Sequence, residues 1–467
     1  ARTGERMGAH DTTAAVVLAA GRGTRFRSAL PKVLHRAAGR TLLGHVLAAV
    51  GAAGVDRILV VVGPGPDGVA DEVAALADRL PVPVTTVVQP EPRGTGDAVD
   101  VALAALPPEV ARVMVVPGDT PLLTGPTLAG LLEAGAGRRM GLLVAVPEDA
   151  FGYGRVLRDA DGTITGVVEE RDATPEQRAL REANVGMYVF DRAELTPVVA
   201  ALGTDNAQGE RYLTDVVGPL AAAGDAVAHV VDMAEVAGVN DRAQLADAGV
   251  ELRRRHLRAL MRDGVGVVDP AHTYVDVEVA VAADATLLPG TILEGATRVA
   301  AGAVVGPNTH LTDCEVGEGA HVHSTRADRA RIGADVEVGP FAHLRPGTVL
   351  EVGARVGAFV QTKNATVGAG AKVPHLAYVG DADVGAGANV ACGVVTVNYD
   401  GREKHRTVVG EGAFVGCGTM LVAPVEVGPG AYVAAGSTIT DDVPAEALAI
   451  GRARQVVKEG RARGRLG

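Results

Sequence analysis

The residues best placed to do chemistry early in this chain are Arg22, Arg25, Arg27 and Lys32, set down within eleven positions of one another after Gly21 and Gly23. The glycines follow an apolar run, Ala14 to Leu18, that reads as a buried strand. A strand that turns through glycine lets backbone N–H groups approach a polyphosphate, and basic side chains beside it supply the counter-charge. The spacing is neither GxxxxGK[ST] nor GxGxxG. It is LxxGxGxR followed by Pro31-Lys32-Val33-Leu34.

Other polar clusters fall directly after apolar runs. Gln89 precedes Arg93-Gly94-Thr95-Gly96-Asp97, where an amide and a Gly-Thr turn could read a base edge. Pro117-Gly118-Asp119 ends another run, and an aspartate there could hold a divalent cation against phosphate oxygens. Gly152-Tyr153-Gly154-Arg155 opens a hairpin turning at Asp159 to Gly162 and closing on Glu169, and Asn184 starts the next strand. In the second half, His375 lies two residues past Val373 in a polar turn, where a neutral imidazole could take a proton from an amine attacking a thioester. Backbone N–H groups near Asn389 to Cys392 are a candidate oxyanion site.

The elements that must position these groups fall into two sets. From Ala14 to about Ala237, short apolar runs alternate with helical patterns, an α/β domain with a largely parallel sheet; such sheets bind ligands at the carboxyl ends of their strands. Its clearest strands are expected over 14–20, 57–63, 82–89, 113–117 and 142–147. The segment 241–264 reads as a connecting helix. From 265 to 452 aliphatic residues recur every six positions, as in Val275, Val281, Leu287, Leu293 and Val299, and again in Val409, Val415, Leu421, Val427 and Val433. One aliphatic per six residues fits a triangular β-helix, three repeats to a coil. Breaks in the period near Leu311 to Val316 and past Val356 read as insertions or loops. The ends, 1–13 and 453–467, read as tails.

At 467 residues two domains are expected, and aromatics at 3% with 61 glycines imply cores of small and β-branched side chains. The net charge of −12 argues against a nucleic-acid partner. Cys314, Cys392 and Cys417 form no disulfide framework or CxxC pair, which suits a reducing cytoplasm. Residues 1–13 lack a signal-peptide core, and no apolar run is long enough to span a membrane. His310, His321, His323 and His343 read as β-helix corner residues rather than zinc ligands.

The run of motifs from Leu18 to Asn240 resembles the sugar-nucleotide pyrophosphorylases. With the cluster from Arg345 to Arg452, the chain resembles the family of bifunctional N-acetylglucosamine-1-phosphate uridyltransferases / glucosamine-1-phosphate acetyltransferases. The resemblance implies a Rossmann-like nucleotidyltransferase domain followed by a left-handed parallel β-helix, Mg²⁺, UTP and acetyl-CoA as cofactor and co-substrates, and a homotrimer. It implies that Leu18, Ala19, Ala20 and Gly21 line the nucleotide, that Arg25 and Lys32 meet phosphates, and that Gln89, Gly94 and Thr95 read uracil. Gly154, Glu169 and Asn184 would hold the acetylated sugar, with Asp119 and Asn240 as metal ligands. In the second half it implies His375 as general base, and Arg345, Lys363, Tyr378 and Asn389 around glucosamine 1-phosphate. Asn398, Tyr399, Ala435 and Arg452 would contact acetyl-CoA. Cys392 and Cys417 stand beside the expected thioester where relatives have alanine and, in many, serine; no covalent role is expected for either. Pro117 also departs from the family's usual Ser or Tyr. The alternative is a monofunctional pyrophosphorylase whose β-helix serves only oligomerisation or regulation.

Overall fold

The computed structural model describes residues 12–461 apart from Arg22 and Ala223, so Arg22, most of the N-terminal tail and the last residues of the C-terminal tail lie outside the described residues. The chain forms two compact units that divide after Leu252, inside one helix, Arg242–Arg262. The first half of that helix contributes Ala248 and Leu252 to a cluster with Phe26, Leu42 and Leu122. Its second half adds Leu257 and Leu260 to the core of the second unit.

The first unit is built on a nine-stranded sheet. Its backbone order is Ala226–Val231, Met140–Ala145, Ala183–Asp191, Val110–Pro117, Thr12–Leu18, Arg57–Val62, Val84–Val88. Along this path every pairing is parallel except the two made by Ala183–Asp191. The hairpin Gly154–Arg158/Ile164–Val168 is attached to that antiparallel strand at Ala183 and Asn184. Valine-rich strands suit a sheet covered on both faces. Alternation divides them, with Ala15, Val17, Val60 and Val116 packing on one side and Ala14, Val16, Val61 and Val115 on the other. The expected strands therefore all form, with ends differing by a few residues; Val84–Val88 is an edge strand and half-exposed.

Two close approaches shape the rim of this sheet. Gly118 donates its N–H to Leu18 O at 2.9 Å, joining two strand ends, and a Cβ at Gly118 would stand 2.9 Å from that oxygen. Gly94 caps helix Thr95–Ala105 with φ +113°, and a Cβ there would stand 2.5 Å from Arg211 O.

The second unit is a parallel β-helix. Val275 pairs with Leu293, 18 residues on, and Leu293 with Leu311, so three six-residue steps close a coil. The recurring aliphatics form one continuous buried column, from Val275 through Val379 to Ile439. The breaks in the period are not insertions. Leu311 to Val316, Val322 to Ala327, Ala327 to Ile332, Thr362 to Val367 and Val379 to Val384 are five-residue steps, each with its end residues buried. Each turns its corner on one residue with positive φ: Asp313, Ser324, Arg329, Asn364 and Asp381. Six-residue steps have such corners as well, at Asn308, Phe341 and Leu376, so the left-handed residue makes the turn in both kinds of step. The one long interruption lies between Thr396 and Val409. It contains a small hairpin in which Tyr399 bridges Lys404 and Asp400 accepts from the amides of Arg402 and Glu403.

Candidate active sites

In the first unit, strand ends and loops enclose a cavity of about 680 Å³. Of the residues singled out above, Leu18, Ala20, Gly21, Lys32, Gln89, Gly94, Thr95, Asp119, Gly154, Glu169 and Asn184 line it. Ala19 does not, because its side chain is buried in the core and its N–H bonds Val61 O. Arg25 and Asn240 meet the cavity through Lys32. The Lys32 ammonium forms an ion pair with Asp119 and reaches Asn240 Oδ1 at 3.2 Å, and Arg25 donates to the same oxygen at 2.8 Å. Residues more than two hundred positions apart are thus drawn to one point. The Val239 amide, bonded to Asp119 O at 2.9 Å, fixes the segment that delivers Asn240.

Asp119 Oδ2 and Asn240 Oδ1 converge on a single cation, the ammonium of Lys32. Two hard oxygen donors aimed at one point suit Mg²⁺, which keeps waters and takes substrate phosphates for its remaining positions. Among the described residues no group of three or more His, Cys, Asp or Glu side chains is arranged to hold a metal.

At the far side of the cavity, Glu169 accepts from Thr214 Oγ1 at 3.0 Å, and Asn184 donates to the Tyr188 hydroxyl at 2.7 Å. Burial, reinforced by the negative charges of Asp215 and Asp172, pushes the Glu169 carboxyl above its ordinary range against the opposing Thr214 hydrogen bond. A carboxyl raised in the native state binds its proton more tightly there than in the unfolded chain. Its stabilising contribution is present below the unfolded pKa and is lost as pH rises through the folded one. Glu169→Gln should therefore raise the melting temperature near neutral pH and flatten the loss of stability as pH rises from the ordinary carboxylate range, which thermal melts from pH 4 to 8 will check. Tyr153 and Thr214, not picked out from sequence as site residues, also line the cavity.

Gln89 is buried and donates Nε2 to Asp97 at 2.9 Å and to Gly94 O at 3.2 Å. Thr95 Oγ1 accepts the Leu213 amide at 3.0 Å, tying this turn to the loop carrying Arg211.

In the second unit, His375 is exposed, next to Leu376 with φ +49°. The amides of Gly393, Gly418 and Gly436 bond the carbonyls of His375, Cys392 and Cys417. His375, Cys392, Cys417 and Ala435 therefore occupy the same corner of four successive coils. Cys392 is half-buried and Cys417 exposed, both as free thiols. Of the amides in the segment from Asn389 to Cys392, those of Asn389 and Ala391 are taken by Ala413 O and Val415 O of the ladder.

Lys363 and Lys404 crowd around Asp381, and Arg345 acts on Lys363. The Lys363 ammonium is held below its ordinary range, first by the adjacent Lys404 ammonium, so an anion is favoured between them. Asp381 is pushed up by burial, but hydrogen bonds from Asn364 and Asn398 and the two ammonium groups outweigh this and hold it low. Lys404 was not legible as a site residue, because only the hairpin after Asn398 brings it back to Lys363. Asn398 also reaches the Tyr378 hydroxyl at 3.4 Å, and Gly380 leaves the room that ring occupies. Asn389 is half-buried and Arg452 exposed.

Residues 15–232 match the MobA-like NTP transferase domain, and residues 406–441 match the bacterial transferase hexapeptide of six repeats. With that match the second unit is a left-handed β-helix of the hexapeptide kind. The whole chain is similar to curated proteins named "Bifunctional protein GlmU". That of Pseudarthrobacter chlorophenolicus is 50% identical over 96% of this chain and 92% of its own. Those of Streptomyces avermitilis and Mycobacterium marinum are 50% and 48% identical, over 97% and 94% of this chain and 95% and 90% of theirs.

Proposed function

The chain belongs to the GlmU family of bifunctional transferases, and from that premise we propose that it carries out two successive steps of UDP-N-acetylglucosamine synthesis, the precursor supply for cell-wall peptidoglycan. In the β-helix, His375 takes a proton from the amine of glucosamine 1-phosphate as its nitrogen attacks the thioester carbon of acetyl-CoA. The C–N bond forms, the C–S bond breaks, and the thiol of CoA leaves protonated. Arg345, Lys363 and Lys404 hold the sugar phosphate, Tyr378 and Asn389 the sugar. Asn398, Tyr399, Cys392, Cys417, Ala435 and Arg452 flank the acetyl donor, with the small thiols serving as packing groups.

In the α/β unit a phosphate oxygen of N-acetylglucosamine 1-phosphate attacks the α-phosphorus of UTP and pyrophosphate leaves. Arg25 and Lys32 neutralise the phosphates, Gln89, Gly94 and Thr95 hold uracil, and Gly154, Glu169 and Asn184 hold the acetylated sugar. Positioning and charge carry this step, with no covalent enzyme intermediate. Asp119 and Asn240 would hold Mg²⁺, which supplies charge stabilisation on the phosphates when bound. The resemblance drawn from the sequence motifs is the ground for a homotrimer with acetyl sites completed by a neighbouring subunit, and the free thiols support a cytoplasmic enzyme. Among the described residues no helix is long and apolar enough to cross a membrane.

The observation that carries the reading is that one chain, similar to bifunctional relatives over nearly its whole length, holds both the Lys32–Asp119–Asn240 cluster and the His375 column. A matched pair of assays tests it: thiol release from acetyl-CoA with glucosamine 1-phosphate, and pyrophosphate release from UTP with N-acetylglucosamine 1-phosphate. Both are expected. An enzyme that never releases thiol would be the monofunctional alternative.

A further inference from the structure

A side-chain amide can face a ligand with either pole, and in this cavity the choice is already made. Gln89 and Asp97 are both buried, 4% and 3% exposed. One end of the Gln89 amide lies 2.9 Å from Asp97 Oδ2 and 3.2 Å from Gly94 O. Both neighbours are acceptors: a backbone carbonyl has no proton, and Asp97 holds its other oxygen 3.2 Å from the Arg211 guanidinium and 3.4 Å from that of Arg93, the partners of a carboxylate anion. The end of Gln89 facing them must be its NH₂. Its Oε1 is then the free pole; among the described residues no donor is bonded to it, and Gln89 lines the cavity.

We propose that Asp97, held by Arg211, is a specificity-determining positioning residue: it locks Gln89 with its acceptor toward the base and so selects a nucleotide whose ring nitrogen carries a proton, uracil rather than cytosine. The inference rests on the uridylyl-transfer reading above. Uracil N3–H can donate to Oε1. Cytosine N3 is an acceptor, so it would set two lone pairs against each other. Without the carboxylate the amide can rotate and offer NH₂ to cytosine, and discrimination falls. Arg211 also bonds Asp100 and Val199 O, which keeps the clamp itself rigid.

The test measures kcat/KM for UTP and for CTP, with N-acetylglucosamine 1-phosphate saturating, on the full chain. Asp97→Asn should lower the UTP:CTP ratio roughly 10-fold or more, the order expected for a hydrogen bond to a charged group, with pyrophosphate release at saturating UTP retained. Gln89→Glu gives a second, independent readout. Its carboxyl must carry a proton to bond Asp97, so UTP use should recover as pH falls from 8 to 6. Adding Asp97→Asn, whose amide can donate to Glu at position 89, should abolish that recovery. An Asp97→Asn enzyme that melts normally and keeps the wild-type ratio overturns the proposal, as does a Gln89→Glu enzyme with the wild-type pH profile. A wild type that ignores UTP or prefers CTP defeats the functional reading instead.

Discussion

Replacing His375 by alanine should cut thiol release from acetyl-CoA by roughly 10² to 10⁴-fold, the contribution of a positioned general base, while pyrophosphate release from UTP stays at the wild-type rate. The side chain is exposed at a corner of the solenoid, so its loss should shift stability by no more than about 0.5 kcal/mol and the melting curve should be unchanged. A fall of this size with an intact melt separates chemistry from folding. Thiol release above a tenth of wild type would remove His375 from the reaction and leave solvent or another group to take the amine proton.

Asp119→Ala should do the converse. Asp119 pairs with the Lys32 ammonium and stands beside Asn240, so its removal frees the cation that meets the phosphates and deletes one of the two oxygens suited to Mg²⁺. Pyrophosphate release is expected to fall by about 10³-fold, as when a preorganised charge is lost from a phosphoryl-transfer site. Acetyl transfer should be untouched. Asp119→Glu, with the charge kept but displaced by a methylene, should recover only part of the loss. If Asp119→Ala retains wild-type pyrophosphate release, the cluster at Lys32 is a structural ion pair and the phosphate end of the cavity must be sought elsewhere.

The pattern of what could be read from the chain follows from what each feature needs. The β-helix was legible because a solenoid demands one inward aliphatic per face, and Val, Leu and Ile supply it at fixed spacing from Val275 to Ile439. Its five-residue steps were misread as insertions, since the inward residue there is at times Ala327 or Thr362, small or polar yet buried, and composition does not announce which corners are one residue shorter. Site residues that end strands, such as Leu18, Gln89 and Asp119, were legible for the same reason as the strands themselves. Lys404 and Arg211 were not, because each reaches its site through a loop: Lys404 folds back on Lys363, and Arg211 crosses to Asp97 from more than a hundred residues away. The antiparallel placement of Ala183–Asp191 is likewise a property of pairing rather than of pattern.

The corner column that starts at His375 has a geometric consequence for how such an enzyme can change. Neighbouring strands lie about 4.8 Å apart, so from His375 through Cys392 and Cys417 to Ala435 the surface is graduated in three intervals, together about 14 Å. The solenoid is a ruler. A one-residue deletion is absorbed sideways, as the steps at Asp313 and Asn364 already show, and leaves every graduation where it was. Only a whole coil, gained or lost, moves the marks. Accommodating a longer or shorter acyl donor by height is therefore a matter of copying or excising about 18 residues at a time, whereas point substitutions in this column can alter only what is read at each mark.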